Sequence, residues 1–300
     1  MDDLAFETAL NELRADRVLG ASELARRCLD LLARSAQSVP ANEGSELLGE
    51  LTRRCDCLIA ARPSMAPIQN LLAAWRSSLA RLDRFSLPEL RSVAADKARD
   101  GIRQSKQAMV KVVENSVEYI GSDKTIITHS LSSTVLAVFE KLKDRNTRVI
   151  VTESRPLNEG YILARQLSDW DISAQLITDA QLGLFAARAD LVLLGADSLL
   201  PDGSLINKSG SYLLALAAHD CGVPLYVCCE SFKRRKEVMG ELELEEMEAS
   251  ELGTSSLPGV RVRNIYFDIT PAGLIDRWID EAGVHATGIL SEETHRMPGQ

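Results

Sequence analysis

The 300-residue chain is long enough for one large or two modest domains with a buried core, which excludes a disulfide-stapled miniprotein. Hydrophobic residues make up 45% and charged residues 26% of the chain, and these globular proportions exclude wholesale disorder and fibrous repeats. The formal net charge of −9 argues against direct nucleic-acid binding, but it leaves room for a local basic pocket that holds a small phosphate.

The sequence predicts a cytoplasmic protein without a membrane anchor or a metal centre. No run approaches the roughly 20 apolar residues that a spanning helix needs, and the first residues carry acids where a signal peptide has a basic head. The four histidines are far apart and the cysteines have no zinc-ligand spacing, so we expect no metal and no other cofactor. We expect reduced thiols at Cys28, Cys55, Cys57, Cys221, Cys228 and Cys229.

The first part of the chain has a helical pattern. Up to about residue 120, apolar residues recur at spacings of three and four, as in Leu24, Cys28 and Leu31. This pattern predicts a helical N-terminal domain over residues 1–120. Residues 86–89 are typical of a helix start, with a serine N-cap, a proline and a glutamate, and a helix of about 30 residues is predicted to follow.

From residue 121 the pattern changes to short β-rich runs that alternate with helical stretches. The runs are apolar without alternation, as expected for strands buried on both faces. The second part, over residues 121–300, is therefore predicted to be an α/β domain, a Rossmann-like parallel sheet with helices on both faces. The predicted strands are residues 125–128, 148–152, 174–178, 191–194 and 225–227.

Two predictions concern the C-terminal third of the chain. Residues 233–256 are first basic and then acidic and lack an apolar face, which predicts an exposed excursion or flexible loop. Residues 263–268 predict a last strand. Thr270-Pro271 then predicts the start of a closing helix that runs through Trp278.

Candidate ligand-binding residues follow the predicted strands, because open α/β sheets bind ligands beyond the carboxyl ends of their strands. Hydroxyl residues follow the first strand and enter a helix. Free backbone N–H groups and the hydroxyls of Ser130, Ser132 and Ser133 could therefore meet one phosphate. A plain N-cap cluster explains the same residues.

Charged side chains lie beyond the second and fourth predicted strands. Arg155 can clamp a phosphate or a carboxylate with two parallel hydrogen bonds, unless it is a surface arginine paired with Glu153 or Glu159. Asp197 is the best-placed acid, able to transfer protons, bind sugar hydroxyls or cap a helix. Lys208, where another helix is predicted to open, supplies a cation or is a solvated side chain.

The fifth predicted strand ends at two adjacent cysteines, Cys228 and Cys229. Vicinal thiols suggest a redox site, but two adjacent thiols in a cytosolic strand are more typical of packed apolar residues. The sequence therefore favours a structural role for this pair.

Four blocks of the sequence, residues 127–142, 149–167, 189–233 and 262–284, resemble in order the conserved blocks of one family. The family comprises the regulatory alpha, beta and delta subunits of translation initiation factor 2B, ribose-1,5-bisphosphate isomerase and methylthioribose-1-phosphate isomerase. The resemblance implies a helical N-terminal domain and a Rossmann-like C-terminal domain that dimerises. It also implies dimers or larger assemblies, with a phosphosugar or nucleotide-phosphate pocket between domains.

The resemblance also assigns roles to residues. In the isomerases a cysteine and an aspartate carry the aldose-to-ketose conversion; Asp197 matches the aspartate, whereas Ser130 occupies the cysteine position. A hydroxyl needs an adjacent base to transfer a proton, and His129 should face the opposite side of the strand. Ligand binding without efficient turnover is therefore the favoured hypothesis.

The remaining candidate binding residues are basic or amide side chains. Lys233 ends a block that is more similar to the initiation-factor subunits than to the isomerases. Four others match substrate-binding positions of the family: Arg62, Arg155, Asn207 and Lys208.

Three functional hypotheses stay open. The first is an initiation-factor-2B-like regulatory or sensing protein, a homodimer or higher oligomer, that binds a phosphorylated sugar or a nucleoside monophosphate. The second is an isomerase of a phosphorylated pentose, in which Asp197 and Ser130 share the proton transfers. The third is a protein-interaction subunit whose acidic segment, residues 237–251, contacts a protein partner.

Overall fold

The computed structural model describes residues 2–16, 19–63, 65–80, 85–235, 244–253 and 259–286. The chain divides into two compact units, Met1–Ala108 and Met109–Gln300. The domain boundary at residue 120 stays a prediction. Within the described ranges, no helix combines the length and the apolar character needed to cross a membrane.

The first unit is helical, as its spacing predicts. Each helix buries one apolar face in a shared core, and the indole N–H of Trp75 donates to the Ala94 carbonyl at 3.0 Å inside it. The helices are α1 (Asp3–Ala15), α2 (Ala21–Ser38), α3 (Gly44–Ala61), α4 (Ala66–Leu79) and the first part of α5 (Leu87–Ile120).

The long helix predicted after Ser86 is confirmed as α5, which has 34 residues. The Glu89 carboxylate accepts hydrogen bonds from the backbone N–H of Ser86 at 3.0 Å and from its hydroxyl at 2.6 Å. These bonds satisfy polar groups at the helix start that would otherwise lack partners.

The second unit is built on a seven-stranded sheet in its described residues. The strand order is β10-β9-β7-β4-β1-β2-β3, and all neighbours pair in parallel except β9 with β10. The strands are β1 (Thr125–Thr128), β2 (Arg148–Thr152), β3 (Ser173–Ile177), β4 (Leu191–Leu194), β7 (Leu225–Cys228), β9 (Arg277–Asp280) and β10 (Gly283–Ala286).

Helices cover both faces of this sheet, as predicted. Strand residues such as Ile126 join one apolar core with α5, α6 and α7, whereas their neighbours, such as Ile127, join a second core with α8 and α9. These helices are α6 (Ser133–Leu142), α7 (Glu159–Asp169), α8 (Leu182–Ala186) and α9 (Ser211–Asp220).

A second, antiparallel sheet lies in the same unit and was not predicted. Its three strands have the order β5-β6-β8. They are β5 (Ser198–Leu199), β6 (Leu205–Lys208) and β8 (Phe267–Thr270). Lys208 therefore ends a strand. The helix predicted to open at residues 207–210 is confirmed as α9, whose N-cap is Gly210 and whose first residue is Ser211.

The predicted closing helix through Trp278 is also wrong. After a short 3-10 helix at Ala272–Leu274, the chain forms β9, which pairs in parallel with β7. Trp278 is buried in one core and Ile279 in the other, so adjacent side chains face opposite sides of the sheet. A strand provides that alternation and a helix does not. The strand predicted at residues 263–268 overlaps β8, which starts at Phe267 in the small antiparallel sheet. It is not the last strand, because β9 and β10 follow it.

The segment predicted as an exposed excursion is partly packed where the structure describes it. Lys233 and Arg235 are buried. Farther on, Leu244 and Met247 pack against the apolar cluster of Tyr266 and Phe267. The prediction is therefore wrong for these four side chains, whereas Glu246, Glu248 and Ser250 are exposed as predicted. Residues 236–243 and 254–258 lie outside the described residues.

Candidate functional site

The carboxyl ends of the parallel strands meet at one edge of the main sheet, and several predicted site residues lie there. Ser130 follows β1, Arg155 follows β2, Asp197 follows β4 and Lys233 follows β7. The backbone N–H of Asp197 donates to the Ile206 carbonyl at 3.0 Å, which ties the end of β4 to β6. The small sheet thus brings the end of β6, with Asn207 and Lys208, toward Asp197.

The loop after β1 has a defined backbone. Ser130 has φ of 68°, in the left-handed region, and its N–H donates to Ser154 Oγ at 2.8 Å. Ser132 is the N-cap of α6 and accepts from the Val135 N–H at 3.4 Å, and Ser133 is the first residue of the helix. The N-cap interpretation is confirmed for Ser132, and phosphate binding by these hydroxyls stays a prediction.

Gly195 lets the end of β4 approach this loop. A Cβ atom at Gly195 would lie 2.2 Å from Ser132 Oγ, which leaves no space for a side chain. The start of α6 is therefore packed directly on the loop that leads to Asp197.

Lys208 is a buried cation. Only 5% of its side chain is exposed; Nζ donates to Glu159 Oε1 at 2.8 Å and lies 4.2 Å from the centre of the Tyr266 ring. The alternative of a solvated lysine is wrong. The other carboxylate oxygen of Glu159, Oε2, is buried without a hydrogen-bond partner among the described residues.

Lys233 is equally buried and lies near two carboxylates. Its Nζ is 3.3 Å from Oε2 of Glu230, a residue with no exposed surface. Burial alone lowers the pKa of Lys233, but the negative charges of Glu230 and Asp197 outweigh it and hold the pKa above its ordinary value. The ammonium group is therefore charged beside Asp197.

Arg155 is an exposed cation at this edge. Its backbone N–H donates to Asp179 Oδ2 at 2.8 Å, and its guanidinium donates to the Leu252 carbonyl at 3.2 Å. Glu159, one of its two expected surface partners, binds Lys208 instead.

Two further candidates make contacts that do not themselves indicate a ligand. The Asn207 side-chain amide donates to Ser211 Oγ at 2.9 Å and so links β6 to α9. Arg62 follows α3 in the helical unit, where it is buried and donates to the Asp16 carbonyl at 3.0 Å. A phosphate role for either residue stays a prediction.

His129 is fully engaged in hydrogen bonds. Its Nε2 lies 2.9 Å from the Ser209 carbonyl and its Nδ1 lies 2.6 Å from Thr152 Oγ1. Burial lowers its pKa and favours the neutral ring. Both nitrogens therefore have partners other than Ser130, and the residue does not serve as the base that a reactive Ser130 hydroxyl would need.

The vicinal cysteines are packed in the apolar cores, in agreement with the structural interpretation. Cys228 and Cys229 are buried, and burial raises the pKa of the Cys228 thiol to about 12 and that of Cys229 as well. The thiolate, which is the reactive form, is therefore suppressed. In the described part of the chain, no group of three His, Cys, Asp or Glu residues is placed to hold a metal ion.

Comparison with known proteins decides the family. The model of the Initiation factor 2 subunit family matches residues 17–287. The chain belongs to this family.

Two relatives in the Initiation factor 2 subunit family illustrate its range. The chain is 36% identical over 279 residues to a putative translation initiation factor eIF-2B subunit 2-like protein of Pyrococcus abyssi, covering 92% of this chain and 94% of that protein. It is 33% identical over 281 residues to ribose 1,5-bisphosphate isomerase of Archaeoglobus fulgidus, covering 92% and 88%.

Solved structures agree with the observed fold. Translation initiation factor eIF-2B of Pyrococcus horikoshii OT3 superposes with a TM-score of 0.83 at 31% identity, over 95% of this chain and 98% of that one. The 5-methylthioribose 1-phosphate isomerase of the same organism has a TM-score of 0.80 at 21% identity, over 94% and 84%, which supports the fold alone. The predicted fold class and family resemblance are confirmed.

Proposed function

We propose that this chain binds a phosphorylated sugar or a nucleoside monophosphate at the carboxyl edge of its main sheet, and that it is a regulatory or sensing protein without efficient isomerase turnover. Arg155, Lys208 and the helix start at Ser132 would bind phosphate, while Asp197 binds hydroxyl groups. The observation that carries the proposal is Lys208, a buried ammonium group at the end of β6.

Lys208 is suited to an anionic ligand. An ammonium group has three N–H donors, and the hydrogen bond to Glu159 uses one of them. Burial strengthens the interaction of the remaining donors with phosphate oxygens, because little water screens the charge. Lys233, in the segment after β7, adds a second buried ammonium group whose charge interacts with Asp197.

The preference for binding over catalysis comes from Ser130. An alkyl hydroxyl transfers a proton only when a base activates it, and no basic side chain of the described residues hydrogen-bonds to Ser130 Oγ. The adjacent imidazole of His129 has both nitrogens engaged elsewhere.

Ligand-induced stabilisation tests the binding proposal. Ribose 1,5-bisphosphate, methylthioribose 1-phosphate and AMP are titrated while the unfolding temperature of the chain is measured. We expect at least one ligand to raise it, and Lys208→Met to abolish that rise. Lys111→Met is the matched control, because it removes an exposed lysine from α5 in the same unit and should leave the rise intact. No stabilisation of the wild type at millimolar ligand would refute the proposal.

The alternative function is an aldose–ketose isomerase of a phosphorylated pentose. It is favoured by the position of Asp197 at the same sheet edge as Ser130 and by the similarity to a protein named ribose 1,5-bisphosphate isomerase. Proton NMR of the two sugar phosphates separates the functions. Turnover by the wild type that Ser130→Ala abolishes would support the isomerase. Turnover gained only in Ser130→Cys would support the binding protein.

Assembly and a translation role belong to the proposal as well. A homodimer or higher oligomer is expected, and light scattering after size-exclusion chromatography measures it directly. A role in translation initiation would require partner subunits, which affinity capture with the purified chain would identify.

A further inference from the structure

We propose that His129 is a positioning residue: through a chain of hydrogen bonds that includes Thr152 and Ser154, it fixes the backbone of Ser130. The hydrogen-bond chain stands on the geometry alone, and only its effect on ligand affinity rests on the proposed function. We call the set His129, Thr152, Ser154 and the Ser130 N–H the relay.

The direction of each hydrogen bond in the relay can be worked out from the Ser209 carbonyl, where the hydrogen-bond chain ends. The Ser209 carbonyl can only accept, so Nε2 of His129, 2.9 Å away, must carry the hydrogen. Burial lowers the pKa of the ring and keeps the ring neutral. The negative charge of Asp179, whose Oδ1 lies 3.8 Å from Nδ1, acts in the opposite direction, whereas the positive charge of Lys208 also lowers the pKa. A neutral ring with a hydrogen on Nε2 accepts at Nδ1, and the donor is Thr152 Oγ1 at 2.6 Å.

The next links are fixed in the same way. The hydroxyl hydrogen of Thr152 is used on His129, so toward Ser154 Oγ, 3.0 Å away, Thr152 Oγ1 can only accept. The Ser154 hydroxyl donates to Thr152 Oγ1 or to the Thr152 carbonyl at 3.2 Å, and Ser154 Oγ accepts the Ser130 N–H at 2.8 Å. When the Ser154 hydroxyl donates to Thr152 Oγ1, every donor of the relay points from Ser130 toward Ser209.

The relay stabilises backbone conformations that residues other than glycine rarely adopt. Ser130 and Ser154 both have left-handed φ angles, 68° and 60°. Such conformations cost free energy in residues other than glycine and persist only where surrounding contacts hold them. Ser154 has a second contact, because its N–H donates to Asp179 Oδ1 at 2.8 Å.

The imidazole also touches the loop after β6. A Cβ atom at Gly210 would lie 2.7 Å from Nε2, so only glycine lets this loop approach the ring. Three loops therefore meet at His129. Ser130 lies in the loop after β1, Arg155 lies in the loop after β2, and Lys208 directly precedes the loop after β6. A change in the ring would move these candidate binding residues relative to one another.

Nitrogen NMR of the histidine side chains tests the relay without any ligand. In protein labelled with ¹⁵N histidine, the resonance missing from His129→Gln identifies the residue. We expect a neutral ring with its hydrogen on Nε2 at pH 7. A hydrogen on Nδ1 or a charged ring at that pH would overturn the assignment of donors.

A matched pair of threonine variants tests the effect on the site. Thr152→Val keeps the shape of the side chain and removes the relay hydroxyl. Thr147→Val removes another buried hydroxyl, which donates to the Leu142 carbonyl at 3.3 Å just before the start of β2. We expect only Thr152→Val to shift the Ser130 amide resonance and to weaken ribose 1,5-bisphosphate binding, by about tenfold.

The outcomes separate the two proposals. Equal Ser130 amide shifts in both variants would overturn the relay, even if ligand binding were intact. No ligand binding by the wild type would refute the proposed function and leave the amide shift as the test of the relay. His129→Asn, which can place an acceptor oxygen near the position of Nδ1, should restore more of the wild-type Ser130 amide shift than His129→Phe does.

Discussion

Buried cations at the carboxyl edge of the sheet are each held by a carboxylate close by. Lys208 pairs with Glu159, and Lys233 with Glu230. A buried charge is tolerated when an opposite charge and hydrogen bonds compensate for its lost hydration. The two carboxylates therefore compensate for the burial of the two lysine side chains at a site proposed to bind anions.

The Lys233–Glu230 pair leads to a prediction about stability. Lys233→Met removes the cation that lies 3.3 Å from the buried Glu230 carboxylate, and we expect a loss of about 3–5 kcal/mol in the free energy of unfolding. The double variant Lys233→Met, Glu230→Leu removes both charges and should recover most of that loss. Urea denaturation measures both, and a single variant as stable as the wild type would contradict the pairing.

The same pair predicts a dependence on alkaline pH. The pKa of Lys233 is higher in the folded chain than in the unfolded chain, so the folded chain holds the proton more tightly. The contribution of the Lys233 ammonium group to the free energy of unfolding is complete below the pKa of about 10.4 in the unfolded chain. This contribution is lost as pH rises through the pKa in the folded chain. The wild type should therefore lose stability above pH 10 more steeply than the double variant.

The sequence identifies Lys208 and Lys233 as candidate residues, but not their burial or their pairs. Glu159 lies 49 residues before Lys208 in the chain. No local pattern links residues so far apart, since the pair forms only when the first residue of α7 lies beside the end of β6. The His129 relay was missed for a related reason: alternation along a strand predicts that His129 faces away from Ser130, but not that it reaches back to it through the next strand.

At the scale of single elements, the approach of α7 to β2 depends on one glycine. A Cβ atom at Gly160 would lie 1.7 Å from the Thr152 carbonyl oxygen, a backbone atom that cannot move aside easily. The start of α7 also carries Glu159, the partner of Lys208. Close packing here therefore positions both a helix and a candidate site residue.

We predict that Gly160→Ala destabilises the chain by more than about 3 kcal/mol, because relieving the contact requires α7 to move away from β2. Gly183→Ala is the matched control: nothing lies within 4 Å of its Cβ position, and alanine favours helix in α8 by up to about 1 kcal/mol. Thermal unfolding of both variants measures the difference. Equal unfolding temperatures would show that α7 does not pack as described.

The buried parallel strands were predictable and the strands after them were not. β1, β2 and β4 are continuous apolar runs bounded by polar residues, and such runs identify strands buried on both faces. In residues 275–279, the apolar positions Ile275, Trp278 and Ile279 are spaced as on a helix face. Only the pairing of β9 with β7, formed across about 50 residues of chain, selects the strand.

At the scale of the whole molecule, the last described strands complete the sheet that carries the site. β9 pairs with β7, which leads to Glu230 and Lys233, and the Cys229 N–H donates to the Ile279 carbonyl at 3.0 Å. The C-terminal strands therefore support the edge of the site from a distant part of the chain.

We predict that both faces of β9 contribute to stability. Trp278→Ala should cost about 3–5 kcal/mol and Ile279→Ala about 2–5 kcal/mol, because the two side chains fill different cores on opposite sides of the sheet. Val284→Ala, on the edge strand β10, is the control and should cost under about 1 kcal/mol, because its side chain is partly exposed. Chemical denaturation monitored by circular dichroism compares the three variants.

A helix would place adjacent residues about 100° apart and would not bury both in opposite cores. A cost under about 1 kcal/mol for either Trp278→Ala or Ile279→Ala would therefore argue against β9 as a strand of this sheet.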